Sequence, residues 1–205
     1  MLGVFYKIRR MLWNHKIKDQ KISILSNNCI AGFLYNDYNL KFNSPTINLQ
    51  MSPKDFIKFC NNIEHYLIYE PKEVKQPIVS EFVKLGGTII NFPVGTIDDI
   101  TIYFQHYTTF EEAKVKWQER KKRINFDNIF VILVDLVCDS ETVRQFKELP
   151  FKKKIILTDN QDSLGDGIFD IGKMKKNRYW YSKINFWGLK KYYERFKFDD
   201  WINNV

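Results

Sequence analysis

Three cysteines (Cys29, Cys60, Cys138) and three histidines (His15, His65, His106) are the residues of this chain best suited to covalent chemistry. Cys29 ends the polar stretch Ser26-Asn27-Asn28-Cys29, which follows the apolar run Ile22 to Leu25 and precedes Ala31-Gly32. A cysteine at such a turn, near a helix start, can have a lowered thiol pKa and serve as a nucleophile. His106 stands at the end of an alternating segment, in Gln105-His106-Tyr107, and is the candidate base that would generate the thiolate for acyl transfer. Asp37, a little downstream of Cys29, is the third candidate catalytic residue. The plainer reading of the same residues is a small buried cysteine and a structural histidine bonded to a backbone carbonyl. Cys60 falls on an apolar helical face and is expected in the core.

Asn27, Asn28, Asn48 and Tyr107 supply amides and a hydroxyl for substrate binding near the same turns. Arg120 and Arg123 belong to Arg120-Lys121-Lys122-Arg123, at the end of a predicted helix. Such a cluster can clamp the pyrophosphate of a nucleotide-sugar or lipid carrier. Cations are also favoured there simply by the helix dipole.

Other chemistries lack their residues. No Cys-x-x-Cys or His-x-x-x-His spacing suggests zinc, and no Walker loop is present. Gly165-Asp166-Gly167 has too few glycines for a dinucleotide fingerprint. No Asp-x-Asp occurs; Asp135 with Asp139 and Asp159 with Asp162 are the nearest spacings. No metal or cofactor is expected. The odd, irregular cysteine count argues against a disulfide framework and fits a reducing cytoplasm.

The elements that would position these residues follow from local patterns. Ile22 to Ser26 reads as a short buried strand, and Phe42 to Leu49 as extended chain, at least around Ser44, because a residue before proline avoids helical angles. Ser52-Pro53-Lys54-Asp55 is a helix start, with Phe56, Phe59, Cys60, Ile63 and Leu67 on one face. Thr88 to Phe92 and Asp99 to Gln105 form a hairpin interrupted by Pro93-Val94-Gly95. Thr109-x-x-Glu112 is a capping box opening a helix to Arg123. Ile129 to Val134 and Lys154 to Thr158 read as interior strands, with a helix capped by Asp139 or Ser140 between them. Residues 165–172 form a loop with a short strand, Trp187 to Phe196 a long helix, and Phe198 to Trp201 a last turn. Strands alternating with helices predict an α/β fold, three-layer α/β/α with a mixed, mostly parallel sheet. At 205 residues and 44% apolar content, one domain over residues 19–205 suffices. In such sheets ligands bind beyond the carboxyl ends of strands. That is where the turn at Cys29, the segment at His106, and the pair Asp135 to Asp139 with Thr158-Asp159-Asn160 should lie.

Residues 1–18 stand apart. Lys7, Arg9, Arg10, Lys16 and Lys18, with no acid, supply five of the eight net positive charges. Leu2, Phe5, Ile8, Met11 and Leu12 recur at helical spacing. The segment is too interrupted by charge for a spanning helix or a secretory signal. It reads either as a basic amphipathic helix on an anionic membrane or as a helix packed on the domain. The remaining chain is only mildly basic, which argues against a nucleic-acid partner.

Several stretches resemble one bacterial family. They are Ser26-Asn27-Asn28-Cys29-x-x-Gly32, Ser44-Pro45-Thr46-Ile47-Asn48-Leu49, Pro93-Val94-Gly95, and His106-Tyr107 with Glu112-Ala113 and Lys116-Trp117. Arg120-Lys121-x-Arg123-Ile124-Asn125-x-Asp127-Asn128-Ile129-Phe130 completes the set. The family is long catalogued as a domain of unknown function, and its members are commonly labelled exopolysaccharide biosynthesis proteins. The similarity runs from about Lys21 to Trp201. It implies a place in exopolysaccharide or capsule synthesis, accompanying glycosyltransferases. Two readings follow. One is a glycosyl- or acyl-transferase acting on a sugar-containing or lipid-linked precursor. The other is a non-catalytic binding or regulatory module of a membrane-associated assembly, touching the inner face of the membrane through residues 1–18.

Overall fold

The run Ile129–Val134 forms a six-residue strand with every residue buried, as its unbroken apolar, β-branched sequence requires. In the computed structural model, which describes residues 2–74, 92–171 and 195–204, this strand (β5) is interior to a four-stranded parallel sheet ordered β1-β5-β6-β7. Its neighbours are β1 (Ser23–Ser26) and β6 (Lys154–Thr158), and β7 (Ile168–Asp170) lies beyond β6. A second, antiparallel sheet is ordered β2-β3-β4, with β2 Lys72–Glu73, β3 Val94–Ile97 and β4 Ile100–Tyr103. The fold is α/β, as the sequence predicts; its parallel and antiparallel pairings are divided between two sheets.

Helices α1 (Leu2–Asn14), α2 (Ile30–Asp37), α3 (Pro53–Asn61), α4 (Ile63–Ile68), α5 (Phe110–Lys121), α6 (Ser140–Glu148) and α7 (Phe198–Asn204), with short 3-10 turns at Phe126–Asn128 and Gln161–Ser163, complete the described elements. The two-residue period of a strand separates two cores. Ile24, Phe130, Ile132, Val134, Ile155 and Leu157 share one core with residues of α2 and α7. Leu25, Ile129, Val131, Leu133 and Ile156 share the other with α3, α5, α6 and β4. Cys60 is fully enclosed in this second core, where its apolar helical face puts it.

Helix starts follow their capping residues. Ser52 Oγ accepts from Asp55 N, Thr109 Oγ1 from Glu112 N, and Asp139 Oδ1 from Thr142 N. The Glu112 carboxylate accepts from Thr108 N at 3.3 Å, one residue before the Thr109 amide that a usual capping box would bond.

Three expectations change. Pro93-Val94-Gly95 does not interrupt a hairpin: β3 begins at Val94 and the turn is at Asp98, whose φ is 51°. Gly95 is required there, because a Cβ would sit 2.7 Å from the Phe110 ring. Residues 45–48 turn rather than extend, with Asn48 left-handed at φ 64°. The last turn at Phe198 is a helix continuing to Asn204. The predicted strand at 88–92 and helix at 187–196 fall outside the described residues, apart from Phe92 and residues 195–196.

One short segment joins the two sheets. Gln50 pairs with Tyr103 in both directions, N to O at 2.7 Å and O from N at 2.9 Å, on the free edge of β4. The next residue donates Met51 N to Asn27 O at 2.9 Å, just past the end of β1. The carboxyl ends of β1 and β4, and the residues that follow each, are thereby held together.

Candidate active site

Past the end of β1 the chain turns into α2 through its own side chains. Ser26 Oγ donates to Asn28 O at 2.6 Å and accepts from Ala31 N at 3.2 Å, while Asn28 Oδ1 accepts from Ile30 N at 3.0 Å. These bonds satisfy two of the amide donors that a helix start leaves open. Cys29 is the residue preceding the first turn of α2 and is buried, 4% exposed. Asn27 anchors the turn from below: its amide donates to Val134 O at 3.0 Å and accepts from Val134 N at 2.8 Å, at the end of β5.

Past the end of β4 lie Gln105 and His106. His106 Nε2 is 3.0 Å from Cys29 Sγ, within hydrogen-bonding distance. The thiol also faces Gln105 Oε1 at 3.6 Å, and Gln105 Nε2 donates to Gln50 Oε1 at 2.6 Å. His106 is exposed, so the pair is reached from solvent on the imidazole side. Asn48 closes the remaining side. Its backbone O receives His106 N at 3.4 Å, and its Oδ1 lies 3.0 Å from where a Cβ on Gly32 would stand. A side chain at position 32 would push Asn48 away from α2.

The electrostatics reverse one expectation. A helix start favours a thiolate, yet burial dominates here and pushes the Cys29 thiol up to about 12. Burial also lowers the His106 pKa below its ordinary value. Both groups are therefore neutral at neutral pH. Such a pair works by general-base transfer: sulfur attacks as its proton moves to Nε2.

The remaining predicted residues take other positions. Tyr107 is buried; its hydroxyl donates to Ile47 O at 3.1 Å and accepts from Arg120 Nη1 at 2.6 Å. Arg120 is 7% exposed, donates also to Ile47 O at 3.2 Å, and stacks on Phe42 at 5.2 Å. Its guanidinium supports the 47–51 segment beneath the pair instead of facing solvent. Arg123 is half-buried on the turn after α5, bonded through its backbone to Arg120 O. Asp37 lies at the opposite end of α2 from Cys29, its buried carboxylate 3.4 Å from Arg9. The loops after β5 and β6 brace one another: Asn160 donates to Val137 O at 2.7 Å and Ser163 to Cys138 O at 2.6 Å, while Asp135 accepts from Val137 N at 3.1 Å.

Gln50 is the participant that motif reading missed. It follows the Ser44 to Leu49 stretch, and only its pairing with Tyr103 reveals its place.

Fold and site together define an α/β protein with a cysteine–histidine pair where two sheets meet. The chain belongs to the family described as Domain of unknown function (DUF1919), whose match covers residues 3–203. It is also 34% identical over 193 residues to a Haemophilus influenzae protein described as uncharacterized, covering 93% of this chain and 88% of that one. The family match includes α1, which the motif resemblance had left outside.

Proposed function

We propose that the chain is a transferase whose nucleophile is Cys29 and whose base is His106, moving an acyl group to a sugar-containing or lipid-linked precursor of cell-surface polysaccharide. One observation carries the reading: the 3.0 Å contact between His106 Nε2 and Cys29 Sγ, open to solvent on the histidine side. The polysaccharide setting rests on the motif resemblance alone. In the first step the Cys29 sulfur bonds to the donor's acyl carbon, its proton passes to Nε2, and the donor's leaving group departs with that proton. In the second, an acceptor hydroxyl attacks the thioester, His106 takes its proton, and the C–S bond breaks to restore the thiol. The acyl version uses the thiol as nucleophile, whereas a glycosyl version has no need of Cys29, and among the described residues Cys29 is the cysteine with a histidine against it.

The test uses p-nitrophenyl acetate, a small unselective acyl donor. Acetylation at Cys29, read by intact-protein and peptide mass spectrometry, should be lost in Cys29→Ser and slowed in His106→Ala. Absence of label on Cys29 in the folded protein, or labelling indifferent to His106, would sink the proposal.

A further inference from the structure

The N-terminal helix is mounted with its polar side inward. Arg9 Nη2 lies 3.4 Å from Asp37, Arg10 Nη2 donates to Asn39 Oδ1 at 2.9 Å, and Asn14 Nδ2 donates to Tyr38 O at 3.0 Å and Asn39 O at 3.1 Å. Trp13 stacks on Tyr38 with ring centroids 5.1 Å apart. Every one of these contacts is to the C-terminal end of α2 or the residues just after it. Among the described residues, the apolar side chains opposite point outward: Ile8 is 49% exposed, Met11 65% and Leu12 63%. A helix that only packed on its domain would turn these side chains in and its arginines out.

We infer that this ridge docks the protein on an anionic lipid surface. Two observations choose the bilayer over a second copy of the chain. First, Lys7 and Lys18 are exposed, Lys16 being paired with Asp199 at 2.9 Å, and residues 1–18 hold no acid, so a symmetric pairing of two such helices would oppose like charges. Anionic headgroups complement the same charges. Second, partial insertion of Ile8, Met11 and Leu12, the exposed apolar side chains among the described residues of this helix, needs no shape-complementary partner, as a protein interface would.

The mounting also orients the site. Helix α2 carries α1 at one end and Cys29 at the other, and its eight residues span about 12 Å. The pair would then lie about one α2 length from the docked helix, the distance a lipid-linked acceptor has to bridge. That last consequence rests on the proposed transferase; the lipid contact does not.

The experiment is co-sedimentation of the full chain with vesicles of phosphatidylglycerol and phosphatidylcholine, against phosphatidylcholine alone. The wild type should bind the anionic vesicles, less so at high salt. Replacing Met11 and Leu12 together by serine should weaken partitioning by more than about tenfold, since two apolar side chains lose lipid contact. Thermal melting should be unchanged, because both side chains are already exposed. Equal binding by wild type and variant, or no preference for anionic lipid, would overturn the inference. So would a lipid-free dimer in analytical ultracentrifugation that the double substitution dissolves, which would assign the ridge to a second copy. Cys29→Ser should bind vesicles like the wild type, and the double variant should still acetylate from p-nitrophenyl acetate. Failure of the chemistry and failure of the docking are thus read separately.

Discussion

His106 Nε2 stands 3.0 Å from Cys29 Sγ although the two residues are 77 apart in the chain. Neither residue brings the other there. The junction is made by backbone bonds, from Gln50 to Tyr103 and from Met51 to Asn27, so the pair's geometry is set by the meeting of two sheets. The protonation state follows from the same packing: with both groups desolvated, the neutral pair is the resting form.

This resting form predicts a one-sided acid limb. Acetylation of Cys29 requires neutral His106, whose pKa lies below its ordinary 6.5. The rate should therefore be flat at neutral pH and fall only as pH drops through that lowered value. His106→Ala should reduce the rate by about 10²-fold or more and abolish the acid limb. Pre-steady-state rates with p-nitrophenyl acetate across pH measure both. An acid limb that persists in the alanine variant would assign it to another group.

Cys29 also predicts an alkaline instability. Its thiol is raised from 9.0 to about 12 in the folded chain, so the fold prefers the protonated form. That preference contributes its full stability below about pH 9 and loses it as pH rises towards about 12, a span worth roughly 4 kcal/mol if fully expressed. Urea midpoints should fall steeply across this range, and Cys29→Ala should fall less steeply. Parallel curves for the two proteins would mean that the thiol is not desolvated. Cys60, still more deeply enclosed and also raised, contributes in the same direction to both proteins.

Asn27 predicts a coupled loss of stability and reactivity. Its amide satisfies both Val134 N and Val134 O in the buried layer at the ends of β1 and β5. Asn27→Ala leaves both without a partner and should cost about 2–4 kcal/mol. Asn27→Asp keeps the acceptor but loses the donor, and should fall between. Because Met51 N bonds to Asn27 O, the alanine variant should also slow Cys29 acetylation under conditions where it is fully folded. Denaturant titration gives the first quantity and acetylation kinetics the second.

The sequence carried some of this arrangement and hid the rest, for physical reasons. Helix starts at Ser52, Thr109 and Asp139 are legible because each cap bonds a backbone amide three residues on. The interior strands are legible because double-sided burial demands an apolar run. That Cys29 and His106 would lie at strand ends is legible; that they would touch is not, because contact depends on a single bridge at Gln50, too short to leave a periodic pattern. The direction of the thiol's shift is hidden too. It turns on whether burial outweighs the helix start, and a sequence does not state depth. Amphipathic spacing finds α1 but not its mounting, which depends on Asp37 and Asn39 receiving the arginines.

Arg120 separates a supporting role from substrate binding. In sequence it ends a basic helix, the position of a phosphate clamp or a dipole-favoured cation. In the fold its guanidinium serves Ile47 O and Tyr107 Oη and is 7% exposed. Arg120→Met fills similar volume without donors, removing two buried charge-assisted bonds and leaving Ile47 O and Tyr107 Oη with only the bond between them. It should lower stability by about 2–4 kcal/mol. Arg120→Lys keeps the charge but loses the planar group that stacks on Phe42, and should recover only part of the loss. A clamp would behave in the opposite way, with stability near wild type and a selective rise in KM for a pyrophosphate-bearing substrate. Thermal melts of the two variants, read beside thermal-shift titrations with nucleotide-sugars, distinguish the cases. Stability unchanged in Arg120→Met would return this arginine to the substrate side of the site.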